Sequence, residues 1–261
     1  MMRVVKIGGR AQGDARLGPA LAAAAHAGGR TAASLCIVHG GGDEVSALQR
    51  RLGLEPVFNG GRRVTSEADL EIVRMVLSGT INKRLTAMLL SHGIRAVGIS
   101  GEDAMLFRAR ATDPKTMGRV GGTVTVDPAI VLQLIAGGFV PVISPLARDI
   151  DDAGTTGSGL NVNGDDAAAA LAGALAADEL VLVADVAGVL ENGAVIPSLD
   201  LEQSALLVSS GVAAGGMAAK LEAAAAALHA GVARVRIAGL DGIGNPDAGT
   251  RVVPSGNPSR V

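Results

Sequence analysis

Six apolar, β-rich runs alternate along this chain with helix-patterned stretches, and that alternation restricts the fold more than any other feature. The runs cover residues 4–7, 34–38, 96–99, 140–143, 180–184 and 233–238. Helical periodicity predicts helices near 17–27, 43–52, 66–91, 128–136, 165–175, 201–209 and 217–230. Strand and helix in turn make βαβ units around a mainly parallel sheet. Near-continuous apolar strands such as Glu179-Leu-Val-Leu-Val-Ala184 require cover on both faces, which gives a three-layer α/β/α sandwich. Residues 108–127, with alternating Gly-Thr-Val-Thr-Val, break the rhythm and predict a β-hairpin excursion, and residues 254–261 read as a frayed tail. No internal repeat is visible.

Composition removes several classes of function. With 261 residues and 48% hydrophobic content the chain can bury a sizeable core. Its longest apolar runs, 130–135 and 167–177, are too short or too alanine-rich for a bilayer, so no membrane segment is expected. The opening Met-Met-Arg-Val-Val-Lys-Ile-Gly-Gly passes directly into a strand pattern without the regions of a signal peptide, so a cytoplasmic location is expected. The single cysteine, Cys36, lies in an apolar run and reads as packing rather than chemistry. Net charge is −2, the 23 basic residues are scattered, Trp and Tyr are absent, and Phe58, Phe107 and Phe139 stand far apart; no nucleic-acid partner is expected. Four lysines, Lys6, Lys83, Lys115 and Lys220, stand against nineteen arginines. A lysine kept in an arginine-writing sequence points to tight sites that suit a compact ammonium rather than a planar fork.

Four glycine-rich or polar segments fall where a strand ends: Lys6-Ile-Gly-Gly9, His39-Gly-Gly-Gly42, Asn161-Val-Asn-Gly-Asp165 and Asp185-Val-Ala-Gly188. Ligands of open α/β sheets bind beyond the carboxyl ends of strands. Glycines there leave N–H groups uncovered, and a following helix turns its positive end to the same space, so the common target is an anion. Each loop alone reads equally as a tight turn; their co-occurrence favours the anion. Neither the G-x-x-x-x-G-K-[ST] nor the G-x-G-x-x-G pattern is present.

Lys220 falls near the first turn of a helix, where the dipole opposes a cation unless a phosphate is bound; a solvated surface lysine is the alternative. Asp165 and Asp166 open an alanine-rich helix, either as ordinary capping or, for Asp165, as an anchor holding two lysines on one phosphoryl group. In Asn59-Gly-Gly-Arg-Arg-Val-Thr65 one of the two arginines is suited to clamp a carboxylate, a solvated pair being the other reading. His26, His92 and His229 sit at helix ends before glycine, and His39 orients its loop; none is given an acid–base role.

Read in order, Lys6-Ile-Gly-Gly, Val38-His-Gly-Gly-Gly, Gly61-Arg-Arg-Val-Thr, Gly79-Thr-Ile-Asn-Lys, Asn161-Val-Asn-Gly-Asp, Asp185-Val-Ala-Gly-Val-Leu, Gly216-Met-Ala-Ala-Lys and Gly249-Thr-Arg resemble the amino acid kinase family over essentially the whole chain. The combination of G-x-R-V-T, N-V-N-x-D and G-M-x-x-K is similar to the branch acting on N-acetylated glutamate. The resemblance implies the carbamate kinase-like fold and phosphorylation of the γ-carboxylate of N-acetyl-L-glutamate by ATP with Mg2+, a step of arginine biosynthesis. By matched position it implies that Lys6 and Lys220 stabilise the transferring phosphoryl group and that Asp165 holds both. Gly8, Gly9, Gly40 and Gly41 would supply backbone donors, Arg63 rather than Arg62 would clamp the substrate, and Asn161 and Asn163 would contact it. Asp185, Val186, Ala187, Gly188, Val189 and Leu190, with Val212, Ala213 and Ala214, would line the adenine and ribose site. No protein cage for the metal is expected, and no separate base, because the attacking carboxylate is already ionised near neutral pH.

The resemblance further implies one domain over 1–261, with a lobe at about 1–175 for substrate and dimerisation and one at about 176–261 for nucleotide. Because the first strand begins at about Arg3, with no helix before it, the expectation is a homodimer through 66–91 without arginine feedback. Departures are the extra Arg62 and the less polar Ala213-Ala214-Gly215. Rival readings are a kinase for another N-acylated acid, such as N-succinylglutamate, and a catalytically silent nucleotide sensor, against which the retention of Lys6, Asp165 and Lys220 together argues.

Overall fold

A computed structural model describes residues 1–27, 34–151 and 159–256. Its strands are β1 (Met2–Ile7), β2 (Ser34–His39), β3 (Phe58–Asn59), β4 (Arg62–Arg63), β5 (Ala96–Ser100), β6 (Phe107–Ala109), β7 (Thr125–Val126), β8 (Val140–Ser144), β9 (Leu146–Asp149), β10 (Gly159–Asn161), β11 (Glu179–Val183), β12 (Leu190–Glu191), β13 (Ala194–Val195), β14 (Ser198–Asp200), β15 (Val235–Ala238) and β16 (Thr250–Val253). The helices are α1 (Leu17–His26), α2 (Gly42–Arg51), α3 (Glu67–Arg74), α4 (Asn82–Ser91), α5 (Ala129–Ala136), α6 (Gly164–Ala174), α7 (Leu201–Ser209) and α8 (Gly216–His229). Each predicted helix is present, shifted at its ends by a residue or two.

The central sheet has eight strands in the order β14-β16-β15-β11-β1-β2-β8-β5. From β15 to β5 all neighbours are parallel, with β1 in register against β11 (Lys6 opposite Leu182) and β2 (Lys6 opposite Val38). Only β16, antiparallel to β15, and β14 beside it run the other way. Successive side chains of β1 serve opposite layers, as the pleat demands. Val4 enters a core shared with the buried alanines of α6 and α8, and Val5 and Ile7 enter one with Leu17 and Leu21 of α1, Leu70 of α3 and Leu85 of α4. The three-layer sandwich is therefore as expected. Cys36 is wholly buried, and burial pushes its thiol pKa up, which keeps it an unreactive packing residue.

The hairpin predicted over 108–127 is only partly realised. β6 and β7 are antiparallel, but β6 also pairs in parallel with β9, so both belong to a second sheet ordered β10-β9-β6-β7. The alternating Thr-Val pattern identifies a strand but not its distant partner. Of the predicted frayed tail, residues 257–261 lie outside the described residues. The helix predicted over 66–91 begins with a Ser66 capping box and is interrupted over Met75–Ile81 by a π-helical segment before α4. Among the described residues no helix is long and apolar enough to cross a membrane.

Candidate active site

The ends of β1 and β2 and the N-terminus of α6 meet in a cavity of about 260 Å³, which Lys6, Gly9, Gly40, Gly41, Arg63, Asn161, Asn163 and Asp165 help to line. Lys6 is the penultimate residue of β1, and its Nζ lies 2.9 Å from Asp165 Oδ1. Lys220, on α8, places its Nζ 3.3 Å from Asp165 Oδ2. All three side chains are buried, at 7%, 4% and 9% exposure for Lys6, Asp165 and Lys220. Lys220 is therefore not the solvated surface lysine that its position near a helix start allowed.

Asp165 is spared from capping because Asn163 does that work: its Oδ1 accepts from the amides of Asp165 at 2.7 Å and Asp166 at 3.4 Å. Burial alone would raise the Asp165 pKa, but the Lys6 and Lys220 ammonium groups bring it below its ordinary value. For Lys220, burial and then repulsion from Lys6 lower the pKa against the pull of Asp165. Two lysines and one carboxylate leave one uncompensated positive charge in the seam, which an anion would neutralise.

The glycines supply donors beside that charge. Among the described residues the amides of Gly8, Gly9 and Gly41 donate to no acceptor in the protein. Gly41 has φ +156°, and a Cβ there would collide with Ile81 Cδ1 and Leu77 Cδ2 from the π-helical segment, so the loop presses its backbone against that helix. Gly8 is near the cavity in sequence but is not among its lining residues.

The adjacent arginines part company. Arg62 reaches Asp166 Oδ2 at 2.8 Å and stays partly exposed. Arg63 is buried and donates through Nη2 to the Gly42 carbonyl at 2.8 Å and Ser46 Oγ at 2.7 Å, and through Nη1 to Gln49 Oε1, with Phe58 stacked 4.7 Å from its Cζ. Burial lowers its pKa, and among the described residues no carboxylate oxygen lies within 4.0 Å of it. A buried guanidinium bedded on neutral acceptors is prepared for a carboxylate that arrives with a ligand. Asn161 Nδ2 donates to Thr65 Oγ1 at 3.1 Å, which fixes its amide on the same wall.

A second, apolar cleft of about 190 Å³ brings Val186, Gly188, Val189 and Leu190 against Val212 and Ala213, with Leu207 and Met217 completing it. A Cβ at Gly188 would meet Thr250 Oγ1 at 2.8 Å, and the same hydroxyl accepts from the Val189 amide at 2.8 Å. Asp185 and Ala187 face another hollow, where Asp185 lies 3.5 Å from Arg10, and Ala214 lines neither. In the sequence Leu207 and Met217 are only parts of helices; spacing carries no sign that they border a cleft. Phe58, Ser46 and Gln49 escape a sequence reading because their common feature, contact with Arg63, exists only in the fold. Among the described residues no three or more His, Cys, Asp or Glu side chains form a group that could hold a metal ion.

Comparison with known proteins agrees with this architecture. The family model described as the amino acid kinase family matches residues 1–239. Acetylglutamate kinase of Chloroflexus aurantiacus is 46% identical over 219 residues, 83% of this chain and 84% of that protein. Acetylglutamate kinase of Bacillus subtilis is 42% identical over 203 residues, 78% of this chain and 77% of that protein. Among solved structures, smu.665 from Streptococcus mutans superimposes with a TM-score of 0.84 at 30% identity, covering 97% of this chain and 98% of that one. Carbamate kinase from Giardia lamblia shares the fold at a TM-score of 0.67 and 17% identity, covering 97% and 98%. The chain belongs to the amino acid kinase family.

Proposed function

We propose that this protein is an acetylglutamate kinase, transferring the γ-phosphoryl group of ATP to the γ-carboxylate of N-acetyl-L-glutamate in arginine biosynthesis. The observation that carries the reading is the buried Lys6–Asp165–Lys220 cluster, open to a cavity whose glycine amides are unpaired. Relatives named acetylglutamate kinase at 42–46% identity support the choice of substrate.

In this reading a γ-carboxylate oxygen bonds to the γ-phosphorus as the bond to the β–γ bridging oxygen breaks, leaving ADP and N-acetyl-γ-glutamyl phosphate. Asp165 holds both lysines charged and aimed at the equatorial phosphoryl oxygens, and the Gly9 and Gly41 amides donate to the same group. Arg63 clamps the α-carboxylate, and Asn161 and Asn163 contact the acylated amino acid. No proton need be removed from the nucleophile. The apolar cleft between Val186 and Met217 fits a flat heterocycle such as adenine. Mg2+ enters with ATP on phosphates and waters and supplies further charge neutralisation.

The division of labour follows: about 1–175 binds the acyl amino acid, and about 176–261 binds the nucleotide. The exposed Met75 and Leu90 beside the buried face of the 67–91 helical region support a homodimer through that region. A biosynthetic, ATP-consuming reaction suits the cytoplasm.

The test is a hydroxamate assay with Mg-ATP and N-acetyl-L-glutamate, run beside N-succinylglutamate, free glutamate and a Lys220→Ala control. Acyl phosphate from N-acetyl-L-glutamate, lost in the control, is the expected result. Turnover of N-succinylglutamate alone would transfer the reading to a different acyl group. ATP binding without turnover of any substrate would make the protein a nucleotide sensor.

A further inference from the structure

The segment Gly79-Thr-Ile-Asn-Lys-Arg84 has no part in the chemistry described so far, yet three of its side chains converge on one peptide bond of the anion loop. Asn82, fully buried at the start of α4, donates through Nδ2 to the Val142 carbonyl at 2.8 Å, and its Oδ1 accepts from Lys83 Nζ at 3.2 Å. Lys83 is itself tied to the Gly98 carbonyl at 2.7 Å. These partners fix which end of the amide is nitrogen. The same Nδ2 faces His39 Nε2 at 3.2 Å, so that ring nitrogen accepts and the imidazole proton sits on Nδ1. From Nδ1 the buried His39 donates to the Gly40 carbonyl at 3.0 Å.

A second relay reaches the same oxygen. Gln12 Nε2 donates to the Gly40 carbonyl at 2.8 Å, and its Oε1 faces Arg84 Nη2 at 3.5 Å. Arg84 is held by Glu44 through contacts of 2.5 and 3.0 Å. The Gly40 carbonyl is thus drawn by two side-chain donors. In a planar trans peptide the carbonyl and the following N–H point in opposite directions. Pinning the Gly40 oxygen therefore aims the Gly41 N–H the other way, and that amide has no acceptor in the protein and belongs to a residue lining the cavity.

We propose that Asn82, acting through His39, and Gln12 are positioning residues that lock the Gly40–Gly41 peptide so that its N–H meets the charge developing on the transferring phosphoryl group. The proposal rests on the phosphoryl-transfer reading given above and assigns its rigidity to α4. A free glycine peptide can rotate to turn its carbonyl toward the phosphate, which would repel it; the two relays forbid that rotation. They also explain a lysine at position 83: a compact ammonium reaches both the Asn82 amide and the Gly98 carbonyl without the width of a guanidinium. Burial lowers the His39 pKa to about 4, so the ring stays neutral, with a bare Nε2 to accept from Asn82, at neutral pH.

Two measurements test this on the whole chain. The first reads the imidazole 15N shifts of His39 in the ligand-free protein between pH 6 and 8. The expected result is a neutral ring with Nδ1 protonated and Nε2 bare, and a loss of that bias in Asn82→Leu; an Nε2–H ring in the wild type overturns the proposal whatever the enzyme turns over. The second compares His39→Leu with His39→Asn, whose amide nitrogen can replace the Nδ1 donor. Removing an aimed donor of this kind costs roughly 10²–10³ in kcat. His39→Leu is expected to lose about 10²-fold in kcat with both KM values within about threefold, His39→Asn to recover to within about tenfold of wild type, and Gln12→Leu to lose about tenfold. Equal kcat in the Leu and Asn variants, or rising KM at constant kcat, refutes the positioning role. If His39→Leu fails to fold, the less central Gln12→Leu and the shift measurement decide. A wild type that makes no acyl phosphate defeats the functional reading instead, and the tautomer measurement then decides by itself whether the relay exists.

Discussion

Asp165→Asn keeps the shape of the side chain and removes the one negative charge that two buried ammonium groups share, at 2.9 Å from Lys6 Nζ and 3.3 Å from Lys220 Nζ. Breaking a buried ion pair by deleting one partner costs about 3–5 kcal/mol, because the other charge stays behind without compensation. Against a total stability of about 5–15 kcal/mol, the variant is expected to fold with little margin. At about 2–4 °C per kcal/mol for a domain of this size, its melting midpoint falls by about 6–20 °C at pH 7. The deficit carries a pH signature. Burial and Lys6 already lower the Lys220 pKa, and without Asp165 it falls further. A lysine with a depressed folded pKa binds fewer protons in the folded than in the unfolded state, so stability rises with pH, between the depressed value and about 10.4. Calorimetry and urea midpoints at pH 7 and 9.5 should therefore show the variant recovering toward wild type at the higher pH. Lys6→Met combined with Asp165→Asn should regain part of the loss by removing one stranded charge. A deficit under about 1 kcal/mol at pH 7, or one that does not shrink with pH, would show that Asp165 does not compensate the lysines, and the mechanism built on it would fall.

Other consequences are more quickly tested. Arg63→Lys loses the fork that spans the Gly42 carbonyl, Ser46 and Gln49, and should raise KM for the acyl amino acid about tenfold to a hundredfold while leaving KM for ATP near wild type in steady-state assays. Gly41→Ala drives a methyl group into Ile81 and Leu77; denaturation should show a loss of about 1–3 kcal/mol, accompanied by a fall in kcat. Glu179→Gln strands the buried Arg236, which it holds at 2.8 Å, together with Arg3 at 2.7 Å, far from the cavity lining; the loss should again be about 3–5 kcal/mol, with kcat/KM unchanged per folded molecule at 15 °C.

The residues differ in how plainly the sequence announces them, and the difference has physical causes. Lys6, Gly9 and Gly41 are legible because a strand must end before a loop can bind an anion, and an apolar run followed by glycines marks that end. Asp165 is ambiguous between cap and anchor. The ambiguity depends on Asn163, two positions earlier, whose Oδ1 takes the capping amides and frees the carboxylate. The bed of Arg63 has no signature along the chain, since Phe58 lies on β3 and Ser46 and Gln49 lie on α2, brought together only by tertiary packing. Nor has the π-helical Met75–Ile81, whose i to i+5 bonds leave no distinct period over two turns, yet it is this segment that sets Ile81 and Leu77 against Gly41.

Strand order accounts for the meeting of these pieces. β1 lies between β2 and β11, so the loops after all three open on one side of the sheet, at the point where the chain's connections diverge toward β8 and β5 in one direction and β15 in the other. The substrate-facing glycines follow β2, and the residues of the apolar cleft follow β11, while Lys6 on β1 stands between them. α6 and α8 pack against each other on the layer below, and this brings Asp165 and Lys220 to the same crevice from chain positions 55 residues apart. Two cations converging in a dry seam repel each other, and a carboxylate with no other task is the least that lets both remain charged there. The helix cap that frees Asp165 and the relays that pin Gly40 are thus alike in function: each spends a neutral hydrogen bond on the backbone so that a charged or unpaired group remains available to the ligand.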